Sequence, residues 1–216
     1  MGGNLVAIFG PVGACKTDEN IKRLDDFQLE GRIVQAFKHV LDVPRHGSNL
    51  RSRRGTEFPA TPVNDASEIY KLLRAETQVI GIGEGQFFPP DIIEFIKDQV
   101  YNHGRIIPID FLNTDFRGEL FRLGESDRTI AEIIAMAHEP IYKTSICTYE
   151  DNGIRCGKSA HYTQRLFLDN TPVPYNDPLI IVGDENPRNE RRYVARCIDH
   201  HFVPGRPKIL FNPLSK

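Results

Sequence analysis

The stretch Gly10-Pro11-Val12-Gly13-Ala14-Cys15-Lys16-Thr17 constrains this chain more than any other. It follows Leu5, Val6, Ala7, Ile8 and Phe9, an apolar run that reads as a buried strand. It precedes residues 18–30, a polar segment with Ile21, Leu24 and Gln28 at helical spacing and Gly31 as a stop. Strand, glycine-bearing loop, Lys-Thr and helix form the context of a phosphate-binding loop. In such a loop, backbone N–H groups wrap the phosphates, aided by the positive end of the helix, and a lysine neutralises the β/γ oxygens. The threonine hydroxyl takes a Mg²⁺ position. Cys15 breaks the pattern, which wants glycine immediately before the lysine. For the loop alone, an ordinary strand–turn–helix with a surface lysine therefore remains the alternative.

A chain of 216 residues suits one large domain, or one domain with a small appendage. Hydrophobic content of 40% and charged content of 26% are ordinary for a soluble globular protein. With 27 basic and 29 acidic residues the net charge is −2, so no bulk attraction to nucleic acid or an anionic membrane is expected. No apolar run approaches membrane-spanning length, and no membrane partner is expected. The first residues lack the basic flank and apolar region of a signal peptide, and Val6 breaks the myristoylation pattern. The expected setting is the reducing cytoplasm, where four cysteines suggest metal binding or chemistry before disulfides.

Along the chain, residues 32–40 read as a second strand and residues 41–59 as a long, basic, flexible arm. A short helix is expected over residues 66–75, a strand over 78–82 and a helix over 91–103 closed by Gly104. Residues 105–111 read as the next strand, at an edge or with a bulge because of Pro108. A helix then follows Ser126 and Thr129, with Ile130, Ile133, Ile134 and Ala137 on one face. This alternation predicts an α/β fold, a doubly wound parallel sheet over residues 1–140. Ligands belong at the carboxyl ends of its strands, where the loops at Gly10 and Gly83 lie. From Ile141 the helical period fades and cysteines and short β-like runs appear, which reads as a β-rich appendage over residues 141–201. That region includes a strand over residues 179–182, and residues 202–216 read as a tail.

These pieces together resemble the cytosolic-type (class II) thymidine kinase family. The likeness is carried by Phe9-Gly-Pro-Val-Gly-Ala-Cys-Lys-Thr17, Val79-Ile-Gly-Ile-Gly-Glu-Gly-Gln-Phe-Phe88, Leu112-Asn-Thr-Asp-Phe-Arg-Gly-Glu119 with Phe121, Cys156 with Tyr162-Thr-Gln-Arg-Leu166, and Tyr193 four before Cys197. The resemblance implies transfer of the γ-phosphate of ATP to the 5′-hydroxyl of thymidine. Gly10, Pro11, Val12, Gly13, Ala14, Cys15, Lys16 and Thr17 would hold the triphosphate, with Gly83 and Gln86 beside them. Glu84 matches the catalytic base, and Lys16 would neutralise charge. Arg45 is the nearest match to the family's Asp-x-Arg, one residue further from Asp42 than expected.

Phe87, Phe116, Phe121 and Tyr193 match positions around the base, and Leu112 and Thr163 match positions near the thymine methyl. Any one aromatic alone reads equally well as core. Ile181, Val182 and Gly183 match the loop that binds the base through main-chain groups. Cys147, Cys156, Cys197 and His200 match a structural zinc site that would clip the appendage together and make it zinc-ribbon-like; His201 is the alternative fourth ligand. A homotetramer and feedback inhibition by the triphosphate product are also implied.

Three departures stand out. Cys15 replaces a glycine, Gly83 replaces the aspartate that helps hold Mg²⁺, and Asn113 replaces an acid. The first two leave open an alternative of another kind: a weakened kinase-fold protein that binds nucleoside or nucleotide, or pairs with an active relative.

Overall fold

The structure is a computed structural model that describes residues 2–180 and 191–208. From the amino end, β1 (Asn4–Gly10) leads through the loop into α1 (Lys16–Leu29) and β2 (Val34–His39). After α2 (Val43–His46) come the two-residue strands β3 (Leu50–Arg51) and β4 (Glu57–Phe58), then β5 (Thr61–Val63) and α3 (Ala66–Leu72). The chain continues through β6 (Val79–Gly83), α4 (Asp91–Lys97), β7 (Ile106–Leu112), α5 (Ile130–Met136) and β8 (Glu139–Tyr142).

Six strands form one sheet in the order β5-β2-β6-β7-β1-β8, and every pairing in it is parallel. Parallel strands are covered on both faces and so read as unbroken apolar runs. That is why β1 and β6 show no alternation of apolar and polar residues. On one face Ile21 and Leu24 of α1 pack with Ala36 and Val79. On the other, Ile69, Ile92, Ile96, Ile130 and Ile133 of α3, α4 and α5 pack on Leu5, Ala7, Ile80 and Ile82. Gly81 lets α1 sit this close, since a Cβ there would stand 2.6 Å from Leu24 Cδ1. The caps follow the sequence: Asp65 accepts from the Glu68 N–H, and Thr129 from the Ala131 N–H.

Two expectations are corrected. Pro108 does not mark an edge, because β7 lies inside the sheet between β6 and β1. Its ladder to β1 is continuous, whereas that to β6 is matched only at Val79↔Ile106 and Ile82↔Ile109. A proline lacks only one donor, and the interrupted β6 side absorbs the loss. The basic arm over residues 41–59 is not an open loop. β3 and β4 pair as a hairpin whose Leu50 and Phe58 are buried against Ile21 and Leu24. Lys38, 1% exposed, ties down the approach by pairing with Asp42 and donating to the carbonyls of Gly47 and Asn49. The helix expected over residues 91–103 is α4 continued by a π-type turn, Asp98–Asn102.

Beyond β8, which spans the expected boundary at residue 140, the chain forms small antiparallel ribbons. These are β9 (Ser145–Ile146), β10 (Glu150–Asp151), β11 (Ile154–Arg155), β12 (Ser159–Ala160), β13 (Tyr162–Phe167) and β14 (Arg191–Arg196). β9 pairs with β12, β10 with β11 and β13 with β14. The strand expected over residues 179–182 lies partly outside the described residues, and Leu179 and Ile180 carry no strand. Among the described residues no helix is long and apolar enough to cross a membrane.

Candidate active site

β1 delivers its loop to the carboxyl edge of the sheet. Gly10 (φ 153°) has no room for a side chain there, since a Cβ would stand 2.0 Å from the Lys143 carbonyl oxygen. The loop is tied to β13 by the Val12 N–H, which donates to Thr163 Oγ1 at 3.0 Å. Cys15 has left-handed backbone (φ 54°, ψ 37°) at the start of α1, and its side chain caps nothing. Lys16 donates from Nζ to the Pro11 carbonyl at 2.9 Å. Burial pushes its pKa down, opposed by the charges of Glu84 and Asp110 and reinforced by Arg53.

Glu84 follows β6 and is also left-handed (φ 55°), a strained setting for a non-glycine residue and one that clusters at functional sites. Its Oε2 accepts from Gln86 Nε2 at 2.5 Å, and Gln86 Oε1 accepts from the Leu112 N–H at 3.0 Å. The buried Gln86 amide thus fixes the carboxylate against the end of β7. Asp110, on β7 opposite Ile8, is 1% exposed. Its Oδ2 accepts from Thr17 Oγ1 at 2.9 Å and its Oδ1 from Asn20 Nδ2 at 2.6 Å. Desolvation and the neighbouring Glu84 push its pKa up to about 7. Sequence reading passed over Asp110 and Asn20. The sequence offers no periodic signal for them, only a lone acid two residues before the end of an apolar strand.

These groups open onto a cavity of about 380 Å³. Val12, Gly13, Cys15, Lys16, Thr17 and Glu84 line it together with Phe87, Leu112, Phe116, Phe121, Thr163 and Tyr193. Pro11, Ala14, Gly83 and Gln86 are buried behind this lining. Arg51, Ser52, Arg53 and Arg54 of the hairpin also reach the cavity, in addition to the site residues expected from the sequence. Arg165 was missed as well. It is 2% exposed, its guanidinium sits 4.1 Å from the Phe116 ring centroid and 5.2 Å from that of Tyr193, and it pairs with Asp177 at 3.0 Å. Arg45 lies in α2, its side chain outside the described residues, as are Ile181, Val182 and Gly183.

A second cluster lies in the ribbons. The ligand atoms of Cys147, Cys156, Cys197 and His200 all lie within 4.8 Å of one another and could hold a metal ion. The Cys156 and Cys197 sulfurs are 3.8 Å apart, and His200 Nδ1 is 3.6 Å from Cys147 Sγ and 3.4 Å from Cys197 Sγ. Zn–S near ~2.3 Å and Zn–N near ~2.0 Å in a tetrahedron require edges of about 3.8 and 3.5 Å, so the donor set fits zinc. Burial opposes the Cys147 thiolate, but hydrogen bonds from the backbone of Cys197 and Tyr149 and from His200 bring its pKa down to about 7. Tyr149 stacks on His200 with centroids 4.0 Å apart. His201 stands outside the cluster, stacked on Tyr162 with Nε2 3.0 Å from the Phe116 carbonyl.

A phosphate loop on a parallel sheet, with acids at the neighbouring strand ends and an aromatic-lined cavity, defines a P-loop nucleotide-binding enzyme. Comparison with known sequences narrows the class. The thymidine kinase family profile matches residues 3–201. A thymidine kinase of Pyrobaculum aerophilum is 36% identical over 203 residues, covering 93% of this chain and 99% of that protein. Thymidine kinases of Mycoplasmoides gallisepticum and Thermococcus kodakarensis are 34% and 32% identical, covering 95% and 94% of this chain and 84% and 96% of those proteins. The chain belongs to the thymidine kinase family and is an enzyme of that family. The alternative of a kinase-fold protein without useful turnover is not favoured.

Proposed function

We propose that this chain transfers the γ-phosphoryl group of ATP to the 5′-hydroxyl of thymidine, with Glu84 as the base. The observation that carries the reading is a single cavity bounded by Lys16, Thr17 and Glu84 and by the rings of Phe87, Phe116, Phe121 and Tyr193. The backbone N–H groups around Gly13 and the start of α1 would receive the phosphates. The flat pyrimidine fits between aromatic faces, with Leu112 and Thr163 beside it. Glu84, held by Gln86, would take the hydroxyl proton as the oxygen attacks phosphorus. Lys16 would hold the transferred group's developing charge, aided by Arg53 and Arg45.

Thr17 would hold the Mg²⁺ that accompanies ATP, and the hydrogen-bonded oxygens around its hydroxyl are the hard donors that ion takes. When bound, the ion neutralises the β- and γ-phosphate oxygens. Zinc at Cys147, Cys156, Cys197 and His200 would be structural, closing the ribbons that carry Thr163 and Tyr193. A homotetramer in the cytoplasm, each chain made of two units over residues 1–140 and 141–201, completes the reading on the strength of the family resemblance.

Glu84→Gln tests it. The amide keeps the shape and removes the base, so ADP release coupled to thymidine should fall by about 10²-fold or more. Thymidine binding by calorimetry should persist. Unchanged turnover would end the assignment of Glu84.

A further inference from the structure

Asp110 is a carboxylate in an unusual place. It is 1% exposed, and among the described residues its oxygens accept from neutral partners, the Thr17 hydroxyl and the Asn20 amide, while Lys16 acts on it through space. A buried acid is paired, neutralised or held on a metal, and the cation that magnesium–ATP would bring beside Thr17 is what would keep this one ionised. Its bond to Thr17 bears on the same site. In phosphate-loop enzymes generally, the loop hydroxyl holds the nucleotide's magnesium together with an aspartate from a nearby strand. The strand that supplies Asp110 pairs directly with β1.

The neighbouring strand gives an independent observation. β6 ends in Gly83, beside Glu84, where the chain has no acid. A Cβ built on Gly83 would lie 3.7 Å from Asp110 Oδ1. The space that a carboxylate at the end of β6 would enter is therefore already served by one reaching across from β7. Asn20 reinforces the placement by donating both to Asp110 Oδ1 and, at 3.0 Å, to the Ile82 carbonyl, which fastens the aspartate to β6.

We propose that Asp110, with Thr17, holds the magnesium of bound magnesium–ATP, replacing from β7 the carboxylate that β6 lacks at Gly83. Asp110 is a positioning residue in this role. By accepting the Thr17 proton it leaves the hydroxyl lone pairs free for the cation, and its charge balances the cation. The proposal rests on the cavity being an ATP site, and it turns the loss at Gly83 into a relocation.

The test is ATP binding by calorimetry without thymidine, in magnesium and in EDTA. Wild type should bind more tightly in magnesium. Asp110→Asn should lose about tenfold or more of that gain while affinity in EDTA stays within about threefold, the scale on which partners of metal ligands act. Adding Gly83→Asp should restore part of the gain, since the incoming acid displaces only the end of the Leu50 side chain. Thr17→Val should repeat the loss and Thr17→Ser should not, which keeps the test open if Asp110→Asn fails to fold. Manganese paramagnetic resonance of the ATP complex should change in Asp110→Asn and in Thr17→Val, and should stay as in wild type in Thr17→Ser. A magnesium gain unaltered in Asp110→Asn, an equal loss in EDTA, or no recovery with Gly83→Asp would overturn the proposal. Thymidine titration of the wild type separates it from the kinase reading, because failure to bind thymidine would end the latter and leave the metal result standing.

Discussion

The Arg165 guanidinium carbon lies 4.1 Å from the Phe116 ring centroid, and each residue is only 2% exposed. Arg165 also pairs with Asp177 and donates to the carbonyls of Pro178 and Leu179, so it joins the aromatic lining to the segment entering residues 181–190. Arg165→Met should cost about 3 kcal/mol by urea denaturation, the low end for breaking a buried pair, because Arg191 still meets Asp177 at 3.4 Å. The thymidine KM should rise about tenfold with a smaller change in kcat, as for a lost binding contribution. Adding Asp177→Asn should recover part of the stability. Loss of kcat with KM unchanged would show that Arg165 does not act through the binding surface.

Metal analysis should find about one zinc per chain, because four thiolate and imidazole donors in a closed tetrahedron suit that ion. Chelation should unfold the ribbons, since binding free energy at such a site is folding free energy. His200→Ala should release the metal and His201→Ala should retain it. Well-folded protein without zinc, or metal lost only in His201→Ala, would refute the ligand set.

Much of this architecture is legible in the sequence. Gly10 ends β1, Lys16 opens the helix that follows its loop and Glu84 follows β6, and the carboxyl ends of strands in a parallel sheet share one edge whatever the details of packing. Asp110 was not legible, because its partners Thr17 and Asn20 are 93 and 90 residues away and a lone acid in an apolar strand carries no periodic signal. The hairpin was hidden for a similar reason. Leu50 and Phe58 are isolated apolar residues in a basic stretch, and only the face of α1 gives them a place to bury. Pro108 misled because the rule for proline in strands counts donors, and here the sheet is interrupted on the side where the donor is missing.

His39 sets a pH dependence. Its ring is 7% exposed, edge-on to Phe88 with centroids 5.3 Å apart, and Nδ1 accepts from the Leu41 N–H at 3.2 Å, which requires a neutral imidazole. Burial lowers its pKa, and the Asn64 backbone, Asp65 and Glu68 oppose this without reversing it. The unfolded chain then binds this proton first as pH falls, so the stability from neutral His39 is complete above about pH 6.5 and declines below it. His39→Asn keeps an acceptor without titrating, and its urea midpoint should vary less between about pH 6.5 and 5 than the wild type's. Equal slopes in both proteins would remove His39 from the account.

Cys15 carries the last prediction, with two separable parts. Left-handed backbone costs a residue with a Cβ about 1–2 kcal/mol, and glycine escapes that cost. Glycine also gains freedom in the unfolded chain, which returns about 0.4–1 kcal/mol. Cys15→Gly should therefore raise stability by up to about 1 kcal/mol, and Cys15→Ala, which keeps the Cβ, should leave it unchanged. The urea m-value should stay constant, so the change appears in the midpoint. The second part concerns the ligand. Cys15 is partly exposed on the cavity beside Lys16, so alkylation should block ATP, ATP should slow alkylation, and Cys15→Gly should bind ATP more tightly. The zinc-site thiols would be held by their metal, leaving Cys15 as the reactive one. Normal ATP affinity in protein alkylated at Cys15 would show that the phosphates lie elsewhere than against this loop. A stability gain in Cys15→Gly would then report backbone strain alone.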